Sequence, residues 1–224
     1  IKNNALANFA TQNRLVTRED YIIRTYSMPA KFGSVSKAYI VPDDQILQQD
    51  QVEKRVPNPL AMNMYVLGYN ANKQLVALNQ AIKENLKTYL DHYRILTDAV
   101  NIKDAFIINI GVNFEITVLP NYNSNEVLLK CVSSLKDYFN IDRWQVNQPI
   151  IKSAITNIIG NVQGVQTVVA ATVRNIYNSD NGYSGNVYDL APSTRNGIIY
   201  PSLDPSIFEV KYPNQDIRGR VVSS

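Results

Sequence analysis

The sequence has few of the side chains that bind metals or act as nucleophiles. Its 224 residues include one cysteine, Cys131, and one histidine, His92. A structural zinc site needs about four Cys or His ligands, so such a site is excluded, and a lone cysteine excludes an internal disulfide. Cys131 falls on an apolar helical stripe, which predicts a packed core residue rather than a reactive thiol. His92 follows Asp91 at a predicted helix end, where capping or exposure explains it better than catalysis.

Motifs for nucleotide binding and covalent catalysis are also missing. The sequence has no Walker A or dinucleotide-binding glycine pattern, and no Gly-x-Ser-x-Gly elbow to present a nucleophilic serine. Paired carboxylates stay open as a hydrolase centre, because any two acids can converge in space. The candidates, Asp43 with Asp44 and Asp98 with Asp104, lie in ordinary loop contexts. We therefore expect no enzyme, no cofactor, no metal and no small-molecule substrate.

Neither a large net charge nor a long hydrophobic run is present. Lys and Arg number 22 against 19 Asp and Glu, which gives a net charge of +3. This is too weak to predict binding to nucleic acid or to a membrane, and Arg218-Gly-Arg220 favours a solvated surface or a protein contact. No apolar run approaches the roughly 20 residues that span a bilayer. The chain starts at Ile1 without methionine, so we expect a C-terminal fragment of a longer protein.

The clearest secondary-structure pattern begins at Phe106. Apolar and polar residues alternate up to Val118, which predicts a half-buried strand. A 3.6-residue apolar repeat then predicts a helix over 125–139. A composition of 45% hydrophobic and 18% charged residues is that of a globular protein.

A second helix and a last strand complete this pattern. Pro149 suits the first turn of the helix, where its missing N–H costs nothing. Ile150 and Ile151 are predicted to face inward, and Gly160 to end the helix. A β-rich run follows over 165–177. The order strand, helix, helix, strand predicts small mixed sheets with helices packed on one face, an α+β fold.

The first part of the chain has a related order. Thr17 and Asp20 form a predicted capping box. A short helix, two strands and a helix capped by Asn72, with Leu75 and Leu78 on its apolar face, are expected to follow. Two α+β subdomains are favoured, although two layers of one domain stay open. The predicted divisions are an N-terminal arm and short helix over 1–33, a first subdomain over 34–99, a second subdomain over 100–177, and an extended segment over 178–224.

The last segment differs from the rest in its prolines and tyrosines. Pro192, Pro201, Pro205 and Pro213 interrupt short apolar pieces, which predicts a Pro-rich irregular extension without a core of its own. Tyrosine supplies amphipathic area at low entropic cost and is frequent at protein interfaces. Packing within the chain stays open for each of these side chains. The candidate interface residues are Tyr183, Tyr188, Leu190, Ile198, Ile199, Tyr200, Phe208 and Tyr212.

Several stretches resemble the baseplate J-like family, which includes baseplate wedge proteins of contractile-tailed (T-even-like) bacteriophages. Arg14-Leu-Val-Thr-Arg-Glu-Asp-Tyr21 is similar to the family's Arg-x-x-Thr-x-x-Asp-Tyr start. The strand ending in Val118 with its following helix, and the helix-to-strand turn Ile158-Ile-Gly-Asn-Val-Gln-Gly-Val165, also carry the resemblance. Gly197-Ile-Ile-Tyr-Pro-Ser-Leu-Asp-Pro205 looks particular to the large phage wedge proteins.

The resemblance implies a structural, non-enzymatic role. Family members self-associate and join wedges into the ring around the central hub of a contractile tail. It further implies two copies per wedge and hence a homodimer, contacts with other wedge proteins, no nucleic acid or membrane partner, and a place in the virion after assembly in the host cytoplasm. A tail-associated hydrolase of cell-wall glycan and a host-surface adaptor are the alternatives.

Overall fold

The computed structural model of the protein describes residues 14–42, 61–95 and 99–222. The chain divides into two units, Ile1–Ala105 with Leu203–Pro205, and Phe106–Ser202 with Ser206–Ser224. Helices and small mixed sheets occur in both, which confirms the predicted α+β class. A compact unit is not by itself a domain that folds alone, so the four-part division stays a prediction. Residues 1–13 of the predicted arm and residues 43–60 of the predicted first subdomain lie outside the described residues.

The described residues of the first unit form a four-stranded sheet with two α-helices. Its central strand is β2, which pairs with β1 and β3 in antiparallel and with β4 in parallel orientation. The capping box is confirmed, because Thr17 N–H donates to Asp20 Oδ2 (2.9 Å) and Asp20 N–H donates to Thr17 Oγ1. In chain order the elements are α1 Arg18–Tyr26, β1 Lys37–Pro42, β2 Ala61–Tyr69, β3 Leu75–Val76, α2 Gln80–Asp91 and β4 Ala99–Asp104.

Helix α2 begins seven residues later than predicted. The Asn70 side-chain oxygen accepts the N–H groups of Asn72 and Gln74, both at 2.9 Å, and so closes a turn from β2 into β3. This local bonding competes with helix formation, as asparagine side chains commonly do. Leu75 therefore lies on a strand, and Asn79 caps the helix instead of Asn72. His92 is the C-cap residue of α2, as predicted.

The second unit is organised around one long strand, β5, with the predicted helix α3 after it. The tail beyond β7 adds short strands and one helical turn. In chain order the elements are β5 Phe106–Val118, α3 Ser124–Tyr138, β6 Ile150–Ile151, α4 Lys152–Gly160, β7 Val165–Asn175, β8 Thr194–Arg195, β9 Ile198–Ile199, β10 Ser206–Glu209, α5 Pro213–Asp216 and β11 Ile217–Val221.

Strand β5 pairs with three other strands. β7 runs antiparallel to it from residue 110 to 118, while β10 and β11 pair with it in parallel, one after the other. The prolines do interrupt the tail, but they lie between its strands: Pro205 directly precedes β10, and Pro213 opens α5. Two segments of the predicted irregular extension, β10 and β11, are therefore strands of the β5 sheet.

The two faces of this sheet differ. Val112, Phe114 and Ile116 are buried on the face that α3 and α4 cover, as the predicted one-sided packing requires. Gly219 of β11 lies opposite Phe114, and a Cβ there would overlap the Phe114 ring. Cys131 of α3 is fully buried in this layer, and burial raises the pKa of its thiol to about 11, so the predicted core position is confirmed.

Helix α4 departs from its predicted start. It begins at Lys152, so Pro149 is not in its first turn, and Ile151 is 42% exposed rather than inward-facing. Ile150 and Ile151 pair instead with β9 from the tail. The tail also caps the helix, because Lys152 N–H donates to the Gly197 carbonyl at 2.9 Å. Local sequence held no sign of this distant partner.

Candidate interaction surface

The tail is held across one end of the β5 sheet by polar contacts. Ser184 N–H donates to the Asn109 side-chain oxygen, and Ser184 Oγ donates to the Ile107 carbonyl, both at 2.7 Å. Asn186 Nδ2 donates to the same carbonyl at 2.9 Å. Asn109 is 1% exposed and also donates to Glu209 Oε2 at 2.8 Å. These bonds satisfy buried polar groups, which makes the path of the tail specific.

A second set of contacts centres on Asp216, which is 1% exposed. Its carboxylate accepts the Tyr183 hydroxyl at 2.6 Å and the Tyr212 N–H at 2.7 Å. The two tyrosine rings meet edge to face, with centroids 5.2 Å apart. Desolvation, followed by the hydrogen bond to Asp216, raises the pKa of Tyr183 to about 12. Tyr183 is therefore a neutral donor at neutral pH.

Tyr183→Phe is expected to lower the free energy of unfolding by about 1 kcal/mol at pH 7, because one hydrogen bond to a buried carboxylate is lost. The folded pKa, about 12, lies above the ordinary 10, so this bond contributes fully below pH 10 and is lost as the pH rises toward 12. Urea unfolding at pH 7 and pH 11 measures the difference between wild type and variant. The difference in unfolding free energy between wild type and variant should be smaller at pH 11 than at pH 7. An equal difference at both pH values would contradict the hydrogen bond from Tyr183 to Asp216. Tyr177→Phe, at a tyrosine 54% exposed, is the control.

The predicted interface residues fall into three groups. Phe208 and Ile199 are buried within the chain, at 2% and 1% exposure, and Tyr200 is 44% exposed. The other five are partly exposed. Their role in an interface stays a prediction. The partly exposed residues are Tyr183, Tyr188, Leu190, Ile198 and Tyr212.

Tyr188 is held to two other parts of the chain by hydrogen bonds. Its N–H donates to Asn175 Oδ1 at 3.0 Å, and its hydroxyl donates to the Tyr200 carbonyl at 2.8 Å. Tyr177 is 54% exposed, and Val187 is 69% exposed. We group Tyr188 and Tyr200 with the exposed Tyr177 and Val187 as the candidate interface residues of this part of the tail, and call the group the tyrosine surface. Sequence reasoning missed Val187, because a single apolar residue in a loop has no periodic signal.

The remaining candidates for chemistry are placed as follows. Asp43, Asp44 and Asp98 lie outside the described residues, and Asp104 is paired with Lys83 Nζ at 2.5 Å. No group of three or more His, Cys, Asp or Glu side chains in the described ranges could hold a metal ion. Within those same ranges, no helix is both long and apolar enough to cross a membrane.

Comparison with known proteins finds a likeness in fold. No protein-family profile and no curated protein sequence matches this chain. Among solved structures, a chain in the cryo-EM structure of the anti-feeding prophage (AFP) baseplate, 6-fold symmetrised, is similar, with a TM-score of 0.58 and 10% sequence identity. The match covers 93% of this chain and 40% of that chain, so this chain spans less than half of that chain's length. At this identity, the likeness concerns the fold.

Proposed function

We propose that this chain is a structural component of the baseplate of a contractile tail or tail-like particle. More specifically, we propose a wedge protein of the baseplate J-like family that self-associates as a homodimer and joins wedges into the ring around the hub. It would have no catalytic role, would contact other wedge proteins, and would reside in the virion after assembly in the host cytoplasm.

The observation that carries this proposal is the fold likeness to an anti-feeding prophage baseplate chain over 93% of this chain. Two further features support it. The stretches from Arg14 to Tyr21 and from Gly197 to Pro205 resemble wedge proteins. The tyrosine surface also places amphipathic side chains on a tail that buried hydrogen bonds hold in position, and rigid aromatic side chains are favourable interface groups.

The proposal is tested on particles from the source that encodes this chain. Contractile particles purified by density gradient should contain the chain, and immunogold labelling should mark the baseplate end of the tail. A chain absent from intact particles, or labelled elsewhere on them, would overturn the baseplate assignment. Antibody against the sheath protein of the same particles serves as the positional control.

Self-association is tested on the tyrosine surface. Val187→Asp is expected to raise the dimer dissociation constant at least about tenfold, because a carboxylate would have to be desolvated in the contact. Multi-angle light scattering across a concentration series measures this constant. Leu129→Asp on α3 is the matched control, because both side chains are 69% exposed. Equal effects of the two variants would move the dimer contact away from the tyrosine surface.

A further inference from the structure

The face of the β5 sheet that turns away from α3 and α4 has two different ends. At one end, Asn109 is covered by the tail through its bond with Ser184. At the other end, Asn113 and Glu115 of β5 lie between β7 and β11. Their neighbours in register are Thr172 and Ala170 on β7, and Arg218 and Arg220 on β11.

This open end is rich in arginine. Arg218 and Arg220 are exposed, and Arg174 lies on the same face, opposite Gly111. Glu115 is the one acid within β5, β7 and β11, and its carboxylate pairs with Arg220 at 2.6 Å. Asp216, directly before β11, is 1% exposed, and its carboxylate already accepts hydrogen bonds from Tyr183 and Tyr212. We call the group Asn113, Glu115, Thr172, Arg174, Arg218 and Arg220 the arginine face. Its three positive charges against one negative charge leave it basic.

The arginine face also contains an open depression of about 420 Å³, lined in part by Asn113, Arg218 and Arg220. The side-chain oxygen of Asn113 is buried there without a hydrogen-bond partner in the described part of the chain. Arg218 uses its Nε to donate to the Gln215 carbonyl at 2.9 Å, and a guanidinium has four further N–H donors. The site therefore offers several guanidinium N–H donors to carboxylates.

We propose that the arginine face binds an extended acidic segment of a different protein. Arginine pairs with carboxylates in a bidentate geometry, which adds both energy and specificity. The inference deepens the proposed structural function and rests on it, because it assigns this face to a partner protein of the assembly.

Two other occupants fit less well. A second copy of this chain in a two-fold contact would place the same face against itself, with arginines opposing arginines. Single-stranded nucleic acid is bound by basic grooves with aromatic side chains for base stacking, whereas the neighbours in register on this face are Asn, Glu, Thr, Ala and Arg. Charge complementarity therefore favours an acidic protein segment.

The test uses a fluorescein-labelled peptide of alternating Glu and Thr, eight residues long, and its Gln-Thr counterpart. Fluorescence anisotropy at low salt should show binding of the acidic peptide to the full chain and at least about tenfold weaker binding of the neutral one. The double variant Arg218→Glu with Arg220→Glu should weaken acidic-peptide binding at least about tenfold. Arg143→Glu with Arg195→Glu, an equal charge change at two exposed arginines of the same unit, should leave it within about twofold.

Equal loss in both double variants, equal binding of both peptides, or no binding of the acidic peptide would overturn the inference. Tighter arginine-dependent binding of a ten-nucleotide oligo-dT would also overturn it in favour of nucleic acid. Thermal melting verifies that each variant is folded, and the single variant Arg218→Glu replaces the pair if that fails. Failure here, with the chain present in purified baseplates, would overturn this inference alone. A chain absent from baseplates would overturn the proposed function.

Discussion

Deleting residues 206–224 is expected to unfold the second unit. The deletion removes β10 and β11, and with them one whole side of the pairing of β5. Four apolar side chains of this segment are at most 8% exposed: Ile207, Phe208, Val210 and Ile217. Their burial stabilises the fold by about 1.5–3 kcal/mol each, together roughly 6–12 kcal/mol, which is comparable to the whole stability of a typical domain, about 5–15 kcal/mol.

The fluorescence of Trp144 measures this outcome. It is the one tryptophan of the chain, lies in the second unit and is 2% exposed. The shortened chain should show red-shifted emission without a cooperative denaturant transition, whereas removal of only Ser223 and Ser224 should leave the wild-type transition. If the shortened chain kept the emission maximum and the denaturant transition of the wild type, the structural role of the tail would be contradicted.

Phe208→Ala is expected to lower the free energy of unfolding of the second unit by about 3–5 kcal/mol. Phe208 lies in the middle of β10, pairs in register with Ile108 of β5, and is 2% exposed. Its ring also lies 6.1 Å from that of Tyr188, which anchors the tyrosine surface. Truncation would leave a cavity in the core. The cavity cannot close, because pairing holds the backbones of β10 and β5 in place.

Urea unfolding followed by Trp144 fluorescence measures this loss. Tyr200→Ala, in the same tail but at a side chain 44% exposed, should cost well under half as much, because little apolar area leaves water on folding. Similar losses in both variants would mean that Phe208 is not in the core of the folded chain. Were Phe208 instead an interface residue, its loss would depend on protein concentration.

Several local features were predictable because their causes are local. The capping box of Thr17 and Asp20 needs only residues three apart. Helix α3 is predicted by an apolar repeat over four turns. The alternation up to Val118 likewise depends on the pleat of one strand. Cys131 was placed in the core by the same helical stripe.

The errors have two causes: a distant partner that overrides the local signal, and a short side-chain turn that hydrophobic periodicity does not show. Ile150 and Ile151 read as a helix start, yet β9 of the tail captures them as a strand, and Gly197 then caps α4. Asn70 moved the start of α2 through a side-chain turn that periodicity does not register. The positions of Val187 and of the arginines of β11 on the surface depend on long-range contacts, which local sequence patterns do not show.

Composition and short-range periodicity were enough to predict the α+β class and the long strand β5 with α3 after it, and composition alone gives the scarcity of metal-binding side chains. Only long-range pairing makes the proline-containing tail part of the sheet. Parallel pairing of β10 and β11 with β5 joins residues about a hundred positions apart, and backbone hydrogen bonding carries no signature in side-chain order. The same pairing turned Arg218 and Arg220 into neighbours of Asn113 and Glu115, and so produced a surface that no local pattern predicts.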